Sequence, residues 1–177
     1  MLYECDRINN LVTDLLNIGK PRAAVFTDNT LDSIIRPLLE LLQSKAREKG
    51  VSFDYEADPV SVTFASDRDQ LIQIVLNLTI NAIQMTPPDG RVVLQCSHTD
   101  GIVCLEVSDS GPGIAPNDRS RILDPFVSQR PGGIGLGLAV VHDIVRRHHG
   151  ELAIEDSTLG GARFVIRIPQ LRTEQAR

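Results

Sequence analysis

Apolar residues recur along the chain at two periods. Ile8, Leu11, Val12, Leu15 and Leu16 fall three and four apart, which predicts an amphipathic helix over residues 2–18. Gly19-Lys20-Pro21 ends it. Its stripe is expected to pack on a segment absent from this chain or on a second copy; the alternative is a helix folded back on the main domain. A second stripe, Leu31, Ile34, Ile35, Leu38, Leu39 and Leu42, predicts a helix from about Thr30 to Lys49 stopped by Gly50. Pro37 lies inside that pattern and predicts a kink or a later start. Short strands are expected at Val51–Glu56 and Val60–Ala65, then a long helix from Asp67 to Met85, closed by Pro87-Pro88-Asp89-Gly90.

The second half alternates at period two. Strands are expected at Arg91–Ser97 and Ile102–Ser108, joined by the turn Asp100-Gly101. A glycine-rich loop, a short helix, a second glycine-rich loop and a helix over about Leu136–His149 follow. Strands at Glu151–Glu155 and Ala162–Ile168 close the domain, and the tail from Gln170 to Arg177 is polar and expected to fray. Hairpin strands separated by long helices, with no regular strand-helix-strand alternation, predict an α+β two-layer sandwich: a mixed, mostly antiparallel sheet with helices on one face.

Composition narrows the function. With 177 residues, 42% of them hydrophobic and 23% charged, the chain is an ordinary globular one with room for one domain and an appendage. A net charge of −5 excludes a nucleic-acid surface built on many phosphate contacts, so an anionic ligand must be held locally. No apolar run approaches the ~20 residues that cross a bilayer, and the N-terminus lacks a signal-peptide layout. Three cysteines, Cys5, Cys96 and Cys104, fit neither a disulfide framework nor a zinc site, and a reducing cytoplasm is the expected setting. Cys96 and Cys104 flank the Asp-Gly turn and could face each other across strands, although buried space-filling thiols are the plainer reading.

Three constellations carry candidate chemistry. On the helix from Asp67 to Met85, apolar residues surround nearly the whole circumference, leaving one strip of Gln73, Asn77, Asn81 and Gln84. Neutral amides on a buried helix either offer oxygen to a cation or ligand, or bond to neighbouring backbone. Asp109-Ser110-Gly111-Pro112-Gly113-Ile114 stands at a strand end, where glycines let backbone approach a ligand and the carboxylate accepts hydrogen bonds; a plain turn is the alternative. Gly132-Gly133-Ile134-Gly135-Leu136-Gly137-Leu138 opens a helix, which makes a phosphate cradle of free N–H groups. It is neither a P-loop, lacking Lys-Ser/Thr, nor a dinucleotide fingerprint, lacking a preceding strand. Arg146, Arg147, His148 and His149 are explained by the negative end of that helix.

In this order and spacing the pieces resemble the GHKL superfamily of ATPases, and within it the histidine-kinase catalytic domain. Leu76-Asn77-Leu78-Thr79-Ile80-Asn81-Ala82 is similar to the N box, Asp109–Ile114 to the G1 box, Asp124-Pro125-Phe126 to the F box and Gly133–Leu138 to the G2 box. The likeness continues to Gly161-Ala162-Arg163-Phe164 and Pro169. Glu4 to Leu16 resembles the end of the second helix of the family's dimerisation domain. Asn81-Ala82-Ile83-Gln84 and Arg130-Pro131-Gly132-Gly133 are similar to nitrogen-regulator-type kinases.

The resemblance implies a division into residues 1–20, the end of a dimerisation and phosphoacceptor helix; 21–29, a linker; 30–169, the catalytic domain; and 170–177, a tail. It implies ATP and Mg²⁺ as ligands, with Asn81 giving its oxygen to Mg²⁺, Asn77 supporting it and Gln84 on the same strip. Asp109 would accept the adenine amino hydrogen, with Gly111, Gly113 and Ile114 around the ring. Gly133, Gly135, Leu136, Gly137 and Leu138 would present N–H groups to the phosphates. Residues 115–134 would form a mobile lid, anchored by Phe126, with Arg130 reaching the γ-phosphate. Two departures stand out. Ala162 replaces a threonine that in many relatives helps hold adenine, and none of His98, His142, His148 or His149 has a phosphoacceptor context. The implied activity is therefore transfer of the γ-phosphate to a histidine upstream, then to a response regulator, within a full-length homodimer. An anti-sigma-factor-type serine kinase and a non-catalytic nucleotide or protein-binding module are the alternatives.

Overall fold

The computed structural model of the chain describes residues 24–58, 62–128 and 134–171. The helix expected over 2–18, Cys5, Arg130 and Gly133 lie outside them. The described elements are β1 (Thr27–Asn29), α1 (Leu31–Ile35), α2 (Leu39–Lys49), β2 (Ser52–Ala57), β3 (Phe64–Ser66), α3 (Arg68–Met85), β4 (Arg91–Thr99), β5 (Ile102–Asp109), α4 (Gly137–Arg147), β6 (Glu151–Asp156) and β7 (Ala162–Pro169). Five strands form one sheet in the order β2-β4-β5-β7-β6, parallel only between β2 and β4. Helices α2, α3 and α4 pack on one face of it, as the two-layer reading predicted.

The period-two pattern explains which face. Val92, Leu94 and Cys96 on β4, Val103, Leu105 and Val107 on β5, and Phe164, Ile166 and Ile168 on β7 all point into the core beside Leu71, Ile74, Val75 and Leu78 of α3. The opposite face carries Arg163, which donates to Glu106 and Glu155. Asp100 and Gly101 both adopt positive φ, 53° and 75°, the geometry of a two-residue hairpin whose twist matches its strands. This turn pairs Cys104 with Ser97 rather than Cys96, so the two thiols lie on opposite faces and do not meet.

Local chemistry sets the helix ends. Asp67 caps α3 by accepting from the Gln70 N–H at 3.1 Å, and Thr86 closes it on the Ala82 carbonyl before Pro87. Gly50, at φ 73°, stops α2. Pro37 divides the expected Thr30–Lys49 helix: Arg36–Leu38 is a 3₁₀ turn between α1 and α2.

The sequence reading needs correction in four places. The strand expected at Val60–Ala65 is β3, and its partner is β1, which lies in the segment expected as a linker. The expected short helix of the second half is two 3₁₀ turns, Pro116–Asp118 and Arg121–Leu123. Gln170 and Leu171 do not fray: Gln170 donates to the Gly101 carbonyl at 2.7 Å, and the Leu171 carbonyl accepts from Ala65 at 2.6 Å. His148 is not a cation at a helix end. It is buried, its Nδ1 lies 2.9 Å from the Ile144 carbonyl, its Nε2 accepts from the Asp67 N–H at 3.0 Å, and the Phe26 ring packs against it. Burial pushes its pKa below 6.5, so the neutral form is the native one.

Candidate functional site

The polar strip of α3 points away from the sheet. Gln73, Asn77 and Asn81 are half-buried and Gln84 is exposed, which is the profile of a cleft wall rather than of a solvated face. Asn77 Nδ2 donates to the carbonyl of Gly137 at 3.3 Å, bonding to backbone as one of the two alternatives required. Asn81 follows the other: its side chain has no hydrogen-bond partner among the described residues. An amide held half-buried without a partner is available to a ligand.

Asp109 completes the inward-facing row Val103, Leu105 and Val107, so strand alternation aims its carboxylate at the helical layer instead of at solvent. It is 3% exposed. Its Oδ1 accepts from the N–H of Gly111 at 2.8 Å and of Ala162 at 3.1 Å, while Oδ2 has no donor among the described residues. Burial raises its pKa, and the two backbone donors oppose that shift only in part. Glycine is required around it: a Cβ on Gly161 would stand 2.1 Å from Asp109 Oδ1, and one on Gly111 would stand 2.9 Å from it and 3.1 Å from the Met85 carbonyl. Gly113, at φ 72°, turns the loop over Gly161.

The second glycine loop enters α4 without a side-chain cap, unlike α1 and α3, whose first turns are capped by Thr30 and Asp67. Among the described residues no side chain caps the first turn of α4, whose N–H groups carry the positive end of the helix dipole. Gly135, at φ 73°, has room for no side chain, because a Cβ there would lie 2.4 Å from the Val127 carbonyl. Leu136 is buried at 1% exposure and Leu138 packs on the core; only their backbone is offered to the site.

These groups share one cleft wall. The Gly137 carbonyl accepts from Asn77, and a Cβ on Gly111 would stand 3.1 Å from the Met85 carbonyl, so Asn81 lies about one helical turn from each neighbour. Asp109, the α4 N-terminus and the free amide thus border the same strip.

The expected lid is anchored differently from its sequence reading. The Phe126 ring is 71% exposed, so it anchors nothing here; its backbone N–H, at φ 67°, donates to the Gly135 carbonyl at 3.0 Å. The hydrophobic anchor is Ile122, which enters the core at 5% exposure. Arg119 ties the same segment to β6. The reading also passed over Gly161 and the Ala162 N–H as parts of the Asp109 site, although the pair Gly160-Gly161 before a strand was a visible signal of close backbone approach.

A one-sided helical layer on a mixed sheet, with a buried strand-end carboxylate and a glycine loop that opens an uncapped helix, defines an ATPase-type sandwich of the GHKL class. Comparison with known proteins agrees. The family model "Histidine kinase-, DNA gyrase B-, and HSP90-like ATPase" matches residues 66–172. The sensor histidine kinase ZraS of Escherichia coli O157:H7 is 34% identical over 169 residues, 96% of this chain and 37% of its own length. Full-length ShkA, solved in complex with AMPPNP, superposes with a TM-score of 0.83 at 31% identity, covering 95% of this chain and 37% of that one. ThkA, solved in complex with the response regulator TrrA, gives 0.80 at 28% identity, covering 96% and 49%. The chain belongs to the histidine kinase-, gyrase B- and HSP90-like ATPase family, and its relatives are sensor histidine kinases. It spans 37% of the length of ZraS.

Proposed function

We propose that this chain is the catalytic ATP-binding domain of a two-component sensor histidine kinase. ATP lies along the α3 strip, its adenine amino group donating to Asp109 Oδ2, with Gly113 and Ile114 against the ring. The N–H groups of Gly135, Leu136, Gly137 and Leu138 bind the phosphates, and Arg130 and Gly133, by their likeness to the family pattern, would join them. Asn81, supported by Asn77, would hold Mg²⁺, whose charge when bound offsets that of the phosphates. A half-buried neutral amide suits that ion, since the phosphates supply the negative ligands. The γ-phosphoryl group passes to an imidazole nitrogen of a histidine upstream, ADP leaves, and the phosphoryl group is relayed to an aspartate of a response regulator. The setting is a cytoplasmic homodimer of the longer protein, with the segment 1–20 belonging to its dimerisation domain. The observation that carries this reading is the half-buried Asn81 amide, without a hydrogen-bond partner among the described residues, on a helix whose Asn77 bonds the first residue of α4 and whose Met85 borders the Asp109 loop.

The test mixes the chain with labelled Mg-ATP and a separately produced dimerisation domain of its own full-length protein. Acid-labile, base-stable label on that domain is expected. Its absence, together with unchanged Mg-ATP affinity in Asn81→Ala and Asp109→Ala, would leave the reading without support.

A further inference from the structure

Arg119 lies outside every box of the family pattern, yet its guanidinium closes a three-way junction. Its Nε donates to the Ile114 carbonyl at 3.2 Å, Nη1 to the Ile154 carbonyl at 3.2 Å, and Nη2 to Asp156 Oδ1. Ile154 lies on β6, an edge strand, so its outward carbonyl has no strand partner to accept from. Asp156 is paired across the sheet with Ala162, whose N–H holds Asp109 Oδ1. One side chain therefore joins the loop that ends at Ile114, the root of the lid and the β6–β7 turn that orients the carboxylate.

The three contacts are unequal. The Arg119 side chain is 22% exposed and Asp156 is 83% exposed, so the ion pair is solvated and weak, while the two carbonyl contacts are sheltered. A planar fork reaches all three at once, which an ammonium group cannot do.

We infer that Arg119 is a positioning residue for base recognition: by holding the Ile114 carbonyl against β6 it keeps the Ile114 loop and Asp109 at the separation that an adenine ring fills. This rests on the nucleotide site proposed above. It acts through Ile114 and the β6–β7 turn rather than by touching the nucleotide.

The experiment measures Mg-ATP and Mg-GTP affinities by calorimetry on the whole chain, with melting temperatures alongside. Arg119→Met keeps the aliphatic stem and removes all donors; it is expected to weaken ATP by about tenfold while GTP changes little, so that selectivity falls. Asp156→Asn is expected to stay within about twofold of wild type for both, since it removes only the solvated contact. Arg119→Lys, which makes one carbonyl contact, is expected to fall between, and it decides the question should the methionine variant not fold. Wild-type selectivity in the folded variants overturns the inference, as does an equal loss for both nucleotides accompanied by a lower melting temperature. A wild-type chain with no preference for ATP, or no affinity for it, overturns the site reading itself.

Discussion

Replacing Asp109 by Asn exchanges one carboxylate oxygen for an NH₂ group and reverses the recognition of a purine. Oδ1 accepts from the N–H groups of Gly111 and Ala162, at 2.8 and 3.1 Å. Turning the new amide so that its NH₂ faced them would leave two buried backbone donors unpaired, at about 1–3 kcal/mol each. The carbonyl oxygen therefore stays where Oδ1 was, and the NH₂ takes the position of Oδ2, toward the cleft. An acceptor for the adenine amino group has become a donor. A charge-assisted bond is lost and two donors face each other, so ATP is expected to bind ~2–4 kcal/mol more weakly, ~30-fold to ~1000-fold. A purine with an oxygen at C6, as in ITP or GTP, offers the acceptor that this variant needs and should lose far less or gain. Stability moves the other way. Burial disfavours the Asp109 carboxylate and raises its pKa, so removing the charge while keeping both backbone bonds leaves the nucleotide-free melting temperature level or higher. Calorimetry with ATP and ITP, and a thermal melt without ligand, read all three quantities. ATP affinity within about threefold of wild type, with the ATP-to-ITP ratio unmoved, refutes the assignment of Oδ2 to the adenine amino group. Protonation performs a similar swap in the wild type, and burial raises the Asp109 pKa, so ATP affinity should begin to fall at a higher pH than an unperturbed aspartate would give.

Three further outcomes follow from the same geometry. Gly161→Ala places a Cβ 2.1 Å from Asp109 Oδ1 and 2.5 Å from the Gly111 nitrogen; a loss of ~1–3 kcal/mol in urea denaturation is expected, together with weakened nucleotide binding, and an unchanged midpoint would contradict the packing. Cys96, buried and with its thiol pushed up to about 12, is expected to react with maleimide only on unfolding, as peptide mapping by mass spectrometry would show; rapid labelling of the native chain contradicts its placement. His148 is neutral in the fold and its pKa is lowered, so its contribution is complete above about pH 6.5 and is lost as the pH falls below that value toward the folded pKa. Urea midpoints from pH 7 to 5 should drop more steeply in the wild type than in His148→Phe, and parallel slopes would refute the buried neutral histidine.

What the sequence made legible was local. The α3 strip, the Asp-Gly hairpin, the first glycine loop and the described residues 134–138 of the second are signals carried within one or two turns of chain, and each lies where its pattern placed it. The hairpin even held an answer that was not extracted: a two-residue turn at Asp100-Gly101 pairs Cys104 with Ser97, and a shift of one residue sends a side chain to the other face. The pairing of β1 with β3 was beyond reach, because two three-residue strands separated by α1, α2 and β2 carry no periodicity of their own. His148 was misread for a related reason. Its position near a helix C-terminus suggested a charge, while its burial is decided by Phe26 and Asp67, neither of which is near in sequence. Arg119 gave no signal at all, since two of its three partners are backbone carbonyls.

The placement of hydrogen bonds along α3 and α4 argues for where this domain holds its rigidity. The helices meet at Asp67 with His148 and again at Asn77 with Gly137, so they run antiparallel, with the whole of α4 beside the first half of α3. At the end remote from the ligand site Asp67 and His148 are both engaged on either side: Asp67 also accepts from Val25 N–H at 2.9 Å, and His148 Nδ1 lies 2.9 Å from the Ile144 carbonyl. At the site end, among the described residues, the first turn of α4 has no side-chain cap and the Asn81 side chain has no hydrogen-bond partner. Polar groups left open in this way cost stability that a bound anion and cation can return, so binding and local ordering are one event there. The distal junction keeps that cost from spreading, because α4 cannot shift to satisfy its own first turn without breaking the bond between His148 and Asp67. The entry segment at Val25 and Phe26 contacts that same junction. Any displacement of the preceding chain that reaches this domain at Val25 or Phe26 therefore meets a junction where α3 and α4 are held together.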